Sequence, residues 1–180
     1  MNIILEGFDG TGKSTLAKAI EKEIGLTVYH SDGRPIDRDD YDRRLHDRRK
    51  FVEHCTQIHV DCTAVLFDRH TVISEHIYRN TGGATFDDIL CEIMACRIEV
   101  IVHCTGSVLT ICPEHDGSER DKIDTARLRE HAPEYLLLYD ILMSDLERYF
   151  PVIKFDFSEP NDTERVINFL NFRRLAEKHK

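Results

Sequence analysis

The stretch NIILEGFDGTGKSTLAKAI, residues 2 to 20, decides the fold of this chain. Apolar residues at positions 3 to 5 predict a short buried strand, and an amphipathic helix is predicted from about Ser14. The apolar face of this helix comprises Leu16, Ala17, Ile20 and Ile24. Between the strand and the helix, residues 7 to 14 fit the pattern G-x-x-x-x-G-K-[ST], which predicts a loop that wraps phosphate groups.

The glycines of this loop allow the backbone to wrap closely with its N–H groups turned inward. The helix that follows adds its free N-terminal donors and the positive end of its dipole. Lys13 would reach the outer phosphates of a bound polyphosphate, and the Ser14 hydroxyl would complete the coordination of a bridging Mg²⁺. The loop therefore predicts binding of a nucleoside triphosphate together with Mg²⁺.

The length of 180 residues suits one domain with a full hydrophobic core, and no linker, repeat or low-complexity stretch divides the chain. No apolar run approaches the roughly 20 residues that cross a bilayer, and the N-terminus enters the first strand at once. We therefore expect a single domain over residues 1 to 180 that is soluble, cytoplasmic and not bound to a membrane.

The formal net charge of −9 argues against a broad nucleic-acid surface, because such surfaces depend on lysine and arginine. The stretch from residue 31 to residue 50 looks basic, but its seven arginine and lysine residues are nearly matched by six aspartates. This balance of charges is typical of a solvent-exposed helix with ion pairs along its own surface. A nucleic-acid partner is therefore disfavoured, although the charge alone does not exclude one.

The six cysteines form no C-x-x-C pair and are too dilute for a disulfide scaffold, which predicts buried, reduced thiols. Two groups of histidine and cysteine lie close in sequence, but neither has the paired short spacings of a structural zinc site. These groups are His54, His59 and Cys62, and His103, Cys104, Cys112 and His115.

Strands that alternate with helices predict an α/β fold, with a mostly parallel five-stranded sheet covered on both faces. After the first strand, strands are predicted at 26–31, 63–69, 98–104 and 152–158. After the first helix, helices are predicted at 39–58, 72–78, 85–96, 133–150 and 162–180, with Thr85 as a cap. The polar stretch at 113–133 has no sustained apolar face and predicts an excursion over the surface.

Asp68 and Arg69 follow an apolar run at the carboxyl end of the third predicted strand. Ligands of such sheets bind beyond the carboxyl ends of the strands, so this pair is predicted to lie near the phosphate loop. An acidic residue there suits the Mg²⁺ of a bound nucleotide, held through water. A guanidinium beside it suits a phosphate or carboxylate, which indicates a second anionic substrate facing the nucleotide.

The segments LEGFDGTGKSTLAK (5–18) and FDRH (67–70) resemble thymidylate kinase and its relatives among the P-loop nucleoside and nucleotide kinases. In that family, Asp-Arg-His or Asp-Arg-Tyr precedes a serine, an aromatic residue and a glycine-rich turn. The stretch 68–83 contains Ser74, Tyr78 and a Gly-Gly pair in the same order, displaced by one residue. The resemblance implies a three-layer P-loop NTPase fold and a single kinase domain, with a short lid at about 113–133.

Carried over by position, the resemblance implies an ATP site, a Mg²⁺ site and an acceptor site. Catalytic roles would fall to Lys13, Arg69, Asp9 and the lid residue Arg120, with Arg127 and Arg129 as further lid candidates. ATP would contact Gly7, Asp9, Gly10, Thr11, Gly12, Lys13, Ser14 and Thr15, and Mg²⁺ would lie near Ser14 and Asp68. The acceptor would contact Asp9, Arg69, Phe51, Arg48, Ser74 and Tyr78. The Arg-Glu-Pro sequence that thymidylate kinases carry after the second strand is absent from YHSDGRPID (29–37).

The resemblance implies transfer of the γ-phosphoryl group of ATP to a deoxynucleoside monophosphate, dTMP or a related pyrimidine nucleotide. The expected partner is this small-molecule acceptor, and a homodimer is left open. One alternative keeps the fold and changes the acceptor to a nucleoside, a modified base or a DNA hydroxyl. Another is a nucleotide-dependent switch that is not a kinase, but the sequence lacks the Asn-Lys-x-Asp signature of guanine binding.

Overall fold

The computed structural model describes residues 1–30, 35–58, 64–79, 81–106 and 119–178, and within these it describes the backbone alone for 56–58, 119–128 and 177–178. The five strands are β1 (Asn2–Glu6), β2 (Thr27–His30), β3 (Val65–Asp68), β4 (Ile98–Thr105) and β5 (Val152–Asp156). They form one sheet in the order β2-β3-β1-β4-β5, and every pairing is parallel. The predicted strands are confirmed, with ends that differ by up to two residues.

In the described part of the chain, six helices cover the sheet: α1 (Lys13–Ile24), α2 (Arg38–Ile58), α3 (Thr71–Tyr78), α4 (Phe86–Ala95), α5 (Glu119–Leu146) and α6 (Asp162–Lys178). On one face, Ile3 and Leu5 of β1 pack in a core with residues of α1 and α6. On the other face, Ile4 of β1 packs in a core with residues of α2, α3, α4 and α5. Successive side chains of β1 thus enter opposite cores, which gives the three-layer P-loop NTPase fold.

The helix predicted to begin at residue 133 begins at Glu119, so that prediction was wrong. Residues 119–133 are helical rather than irregular because the segment contains strong helix formers, such as ARLRE at 126–130. The segment was predicted to run over the surface without regular structure because its sequence shows no sustained apolar face. Pro133 lies inside α5, although a proline lacks the N–H of a helical hydrogen bond and its ring crowds the carbonyl four residues earlier. The remainder of the predicted lid, residues 113–118, lies outside the described residues.

The cysteine prediction holds for three of the thiols that the structure describes. Cys55, Cys96 and Cys104 are buried, whereas Cys91 on α4 is exposed, contrary to the prediction. Cys62 and Cys112 lie outside the described part of the chain. Within the described part of the chain, each helix is too short or too polar to cross a membrane.

Candidate active site

The phosphate loop connects β1 to α1 and depends on two glycines whose positions exclude a side chain. Gly7 and Gly12 have φ angles of 150° and 75°, which L-residues rarely adopt. A Cβ on Gly7 would overlap the carbonyl oxygen of Cys104, and a Cβ on Gly12 would lie 2.8 Å from the Cβ of Phe157. The loop therefore lies against the end of β4 on one side and the residue after β5 on the other.

The amino end of α1 is a suitable site for an anion. Gly12 is the N-cap residue, and among the described residues no side chain caps this end of the helix. The first N–H groups of a helix have no partner within the helix, and they carry the positive end of its dipole. A phosphate placed here would accept hydrogen bonds from the backbone itself.

Lys13 lies beneath the loop and binds it from within. Its Nζ donates to the carbonyl oxygens of Gly7 and Phe8 at 2.9 and 2.5 Å and to Thr11 Oγ1 at 3.2 Å. Burial, followed by the nearby charge of Arg69, lowers the pKa of Lys13 to about 8. The ammonium group is therefore still mostly protonated at pH 7, as a phosphate-binding lysine must be.

Ser14, Asp68 and His30 lie together at the carboxyl edge of the sheet. His30 and Asp68 end β2 and β3, and Ser14 lies in the first turn of α1, the helix that follows β1 and the loop. His30 and Asp68 are paired in the register of β2 and β3, while Leu5 of β1 is paired with Asp68. Asp68 Oδ2 accepts a hydrogen bond from Ser14 Oγ at 3.0 Å and lies 3.2 Å from His30 Nδ1. A hydroxyl and a carboxylate oxygen at this spacing fit Mg²⁺, which takes few protein ligands and completes its shell with water and phosphate oxygens.

Arg69 has a strained backbone and points into the same region. Its φ angle is 74°, a left-handed conformation that costs a non-glycine residue about 1 to 2 kcal/mol. The Arg69 N–H donates to the carbonyl of Leu5 at 3.0 Å, and its guanidinium forms an ion pair with Asp9. Burial is the largest single effect and lowers the pKa of Arg69, but the charge of Asp9, together with Tyr139, Glu6 and Tyr78, outweighs it and raises the pKa above the ordinary value. Strain of this kind persists only where the surrounding structure imposes it.

These side chains share one open pocket of about 550 Å³. Its lining consists of Asp9, Gly10, Gly12, Lys13, Ser14, Thr15, His30, Asp68 and Arg69. All of these except His30 are residues that the sequence assigned to the site. Gly7 and Thr11 lie behind the lining, where Thr11 Oγ1 donates to the Phe8 carbonyl at 2.7 Å and braces the loop. The pocket is lined mainly by polar groups, as a polyphosphate site requires.

Two residues assigned to the acceptor, Arg48 and Phe51 of α2, do not line this pocket. Arg48 is only 1% exposed, donates a hydrogen bond to Thr71 Oγ1 and lies 5.2 Å from the centre of the Tyr29 ring. Phe51 packs against the same ring, with the ring centres 5.0 Å apart. Both residues belong to the packing of α2 against β2 and α3, and their acceptor role stays a prediction.

The remaining predicted acceptor and lid residues lie on α3 and α5. Ser74 is buried on α3, next to the turn that carries Arg69. Tyr78 packs against Tyr135 of α5 at 4.8 Å and lines a second cavity of about 510 Å³ between these helices. Arg120 lies in the first turn of α5, where the backbone alone is described.

Two residues of the region were not found from the sequence. His30 was identified only as the end of a strand, although its position at the carboxyl edge is the signal that points to the site. Glu6, the last residue of β1, has no exposed surface. Its Oε1 accepts the backbone N–H of His70, and its Oε2 lies 3.4 Å from the donating hydroxyl of Tyr139.

A buried group of His70, Glu92 and Cys96 lies behind the site, with its ligand-type atoms within 4.8 Å of one another. Cys96 Sγ lies 3.7 Å from His70 Nε2 and 3.5 Å from Glu92 Oε1, while Arg49 pairs with the other Glu92 oxygen. Burial raises the pKa of Cys96 to about 12 and lowers that of His70. A neutral thiol and a neutral imidazole beside the ion pair of Glu92 with Arg49 form a hydrogen-bonded network, and the guanidinium disfavours a cation there.

Replacement of two glycines by alanine separates backbone strain from steric overlap. Gly12 and Gly25 have similar φ angles of 75° and 72°, but only Gly12 has an atom in the way of a Cβ, since nothing described lies within 4 Å of Gly25. We expect Gly25→Ala to lower the free energy of unfolding by about 1 kcal/mol, through strain alone. Gly12→Ala should lower it by about 3 kcal/mol, because the Phe157 side chain, whose Cβ and Cγ lie in the way, must also move. Urea denaturation measures both, and equal losses would contradict the contact with Phe157.

The buried carboxyl of Glu6 predicts a pH-dependent stability. Burial raises its pKa to about 7 from the ordinary 4.5, against the lowering effects of the His70 N–H, Arg69 and Lys13. Between these pH values the folded chain keeps a proton that the unfolded chain has lost, so Glu6 makes the free energy of unfolding fall as pH rises through the window. Relative to Glu6→Gln, the wild type should lose about 3 kcal/mol between pH 4.5 and 7.

Urea denaturation at a series of pH values measures this slope, with Glu21→Gln as the control because Glu21 is an exposed glutamate of α1. The control should keep the wild-type slope. A Glu6→Gln variant with the same slope as the wild type would show that Glu6 does not titrate in this window.

Comparison with known proteins identifies the fold. No protein-family model matches the sequence, and no curated protein matches it significantly. Among solved structures, the chain is similar to the YorR protein of Bacillus subtilis in complex with phosphorylated GDP, with 18% identity, a TM-score of 0.68, and 100% and 99% of the two chains covered. It is also similar to deoxyadenosine kinase from M. mycoides with dCMP and dCDP bound, at 18% identity and a TM-score of 0.61, covering 95% and 99%.

A third similar structure is thymidylate kinase from Candida albicans, at 13% identity and a TM-score of 0.57, with 99% and 93% of the two chains covered. The structural neighbours of this chain thus include a nucleoside kinase and a nucleotide kinase, and the thymidylate kinase is one among several. At these identities the comparisons establish the shared fold, and the activity has to be argued from the pocket.

Proposed function

We propose that this protein is a kinase that transfers the γ-phosphoryl group of ATP to a deoxynucleoside monophosphate, dTMP or a related pyrimidine nucleotide. One observation supports this proposal above the others. The guanidinium of Arg69 lies in the same pocket as Lys13 and the amino end of α1. A pocket with separate cationic groups for two anions suits two phosphorylated substrates better than one.

In this proposal the phosphate loop and Lys13 hold the donor phosphates, while Arg69 holds the phosphate of the acceptor. An acceptor phosphate oxygen attacks the γ-phosphorus, the bond from the γ-phosphorus to the bridging oxygen breaks, and ADP leaves. No proton has to be removed, since the attacking oxygen is already anionic. The contribution of the protein is therefore positioning and neutralisation of charge.

Ser14 and Asp68 would hold the Mg²⁺ of the nucleotide, which, when bound, offsets the negative charge of the donor phosphates. His30 hydrogen-bonds to Asp68 and so fixes the orientation of this carboxylate. The lid arginines of the prediction would come from the first half of α5, the helix on which Arg120 lies.

A second candidate acceptor is a deoxynucleoside, and the ion pair between Asp9 and Arg69 favours it. A hydroxyl group has to lose its proton during attack, and a carboxylate in the pocket, such as Asp9, is able to accept it. A deoxyadenosine kinase is also among the similar structures. The two candidates differ in what Arg69 binds: a phosphate of the acceptor in the first, and Asp9 together with the transferred group in the second.

One assay tests the proposal and separates the candidates. The purified protein is incubated with ATP, Mg²⁺ and one member of a panel of deoxynucleoside monophosphates, deoxynucleosides or short oligonucleotides, and ADP formation is followed. Stimulation by a pyrimidine monophosphate supports the first candidate, and stimulation by a nucleoside supports the second. ADP release without any acceptor, unchanged by every panel member, would contradict both and indicate a nucleotide-dependent switch.

A further inference from the structure

The strained turn at Arg69 is held in place at two backbone positions. The N–H of Arg69 is bonded to the Leu5 carbonyl, as expected for a residue that extends the pairing of β1 and β3. The N–H of the next residue, His70, has passed the end of the strand and donates to the Glu6 side chain. A left-handed residue is thus followed directly by an amide whose partner is a buried carboxyl.

The Glu6 carboxyl is placed where four parts of the site meet. It extends from the last residue of β1, immediately before the phosphate loop, and accepts the His70 amide that follows Arg69. From α5, Tyr139 donates to its second oxygen at 3.4 Å. The charges of Arg69 and of Lys13 on α1 act on it as well. It makes no direct contact with the pocket, since it has no exposed surface.

We propose that Glu6 is a positioning residue for Arg69, which fixes the left-handed turn after β3 so that the guanidinium faces the acceptor. This inference rests on the proposed kinase function. Without the Glu6 carboxyl, the buried His70 N–H loses its acceptor, and the turn relaxes toward an unstrained conformation. Relaxation moves the guanidinium and leaves the phosphate loop as it was.

Two variants of Glu6 separate positioning from bulk. Glu6→Met fills the same space but cannot accept a hydrogen bond, and it should lower kcat/KM for the acceptor about 30-fold, since a displacement of about 1 Å is sufficient for such a loss. Glu6→Gln keeps a carbonyl oxygen for the His70 N–H and should stay within about threefold of the wild type. In both variants the Kd of ATP should change less than about threefold, because the donor site is untouched.

Two further variants serve as controls. Tyr139→Phe removes the hydroxyl that bonds to the second carboxyl oxygen and to Tyr78, but it leaves the His70 N–H bonded to the first oxygen. It should therefore lower kcat/KM for the acceptor much less than Glu6→Met does. Combining Glu6→Met with Arg69→Ala should cost no more than Arg69→Ala alone, since Glu6 acts through that side chain. If Glu6→Met fails to fold, Glu6→Asp replaces it, because its carboxyl is one methylene short of the amide and about a tenfold loss is expected.

The outcomes separate this inference from the proposed function. A wild-type protein that transfers no phosphoryl group to any acceptor overturns the function itself. If the wild type is an active kinase but folded Glu6→Met keeps its kcat/KM, the inference about Glu6 is overturned and the function stands. If the acceptor KM and the Kd of ATP rise together in Glu6→Met, Glu6 supports the fold in general rather than Arg69. The same conclusion follows if the losses of kcat/KM in the double variant are additive.

Discussion

Lys13→Ala is expected to lower turnover about 10³-fold, the largest effect of any single substitution in the pocket. Among the described residues, the ammonium group of Lys13 is the one lysine charge in the lining of the pocket. In the proposed function it would lie where charge on the transferred phosphoryl group develops. In the absence of a ligand its hydrogen bonds go to carbonyls of the loop. The variant should therefore remain folded, since removal of a buried charge relieves the desolvation that lowers the pKa of Lys13.

Steady-state ADP formation with saturating substrates measures this loss, and circular dichroism checks the fold. Lys18→Ala is the matched control, because Lys18 lies on the same helix with its side chain exposed to solvent. It should retain wild-type turnover. If Lys13→Ala kept more than about a tenth of the turnover, the phosphate loop would not be the donor site.

Arg69→Ala is expected to lower kcat/KM for the acceptor about 10²-fold while the Kd of ATP changes less than about threefold. The reason is the division of the pocket in the proposed function, in which the backbone of the loop and α1 would face the donor and the guanidinium would face the acceptor. Alanine keeps the left-handed strain at φ 74° but removes the fork of donors that suits a phosphate.

Arg97→Ala provides a control for the backbone, since Arg97 is also left-handed, with a φ angle of 51°, and precedes β4 at the opposite end of the sheet. It should show wild-type kinetics with both substrates. Initial rates at varied acceptor concentration and equilibrium binding of ATP measure the two effects separately. A collapse of ATP affinity with unchanged acceptor KM would contradict the assignment of Arg69 to the acceptor.

Local sequence signals were sufficient to predict the fold. The apolar run before the phosphate loop, the loop itself and the alternation of strands and helices each point to the same sheet. Thr85 was predicted to cap a helix, and its side chain does accept the N–H of Asp88 in a capping box. These signals are short in range, so they can be read without knowledge of the tertiary structure.

The pocket could be predicted only where a motif or a strand end marked it. Lys13 and Ser14 meet Asp68 because β1, which leads into the phosphate loop and α1, and β3, which ends in Asp68, end at the same edge of the sheet. Glu6 was missed because a glutamate at the end of an apolar run gives no sign that its partner is an amide 64 positions later. The resemblance assigned Arg48 to the acceptor by its place in the helix before the third strand. The side of α2 on which Arg48 lies depends on tertiary packing against Tyr29 and Thr71, which the sequence does not reveal.

Because β1 lies at the centre of the sheet, its sequence can change less than the sequences of the surface helices. It is hydrogen-bonded to β3 on one side and to β4 on the other, and the phosphate loop follows it directly. A backbone held on both sides tolerates few substitutions, whereas helices at the surface tolerate many. In the proposed function, substitutions that change the acceptor would accordingly accumulate in α2, α3 and α5. The sequences of β1 and of the phosphate loop would stay the same.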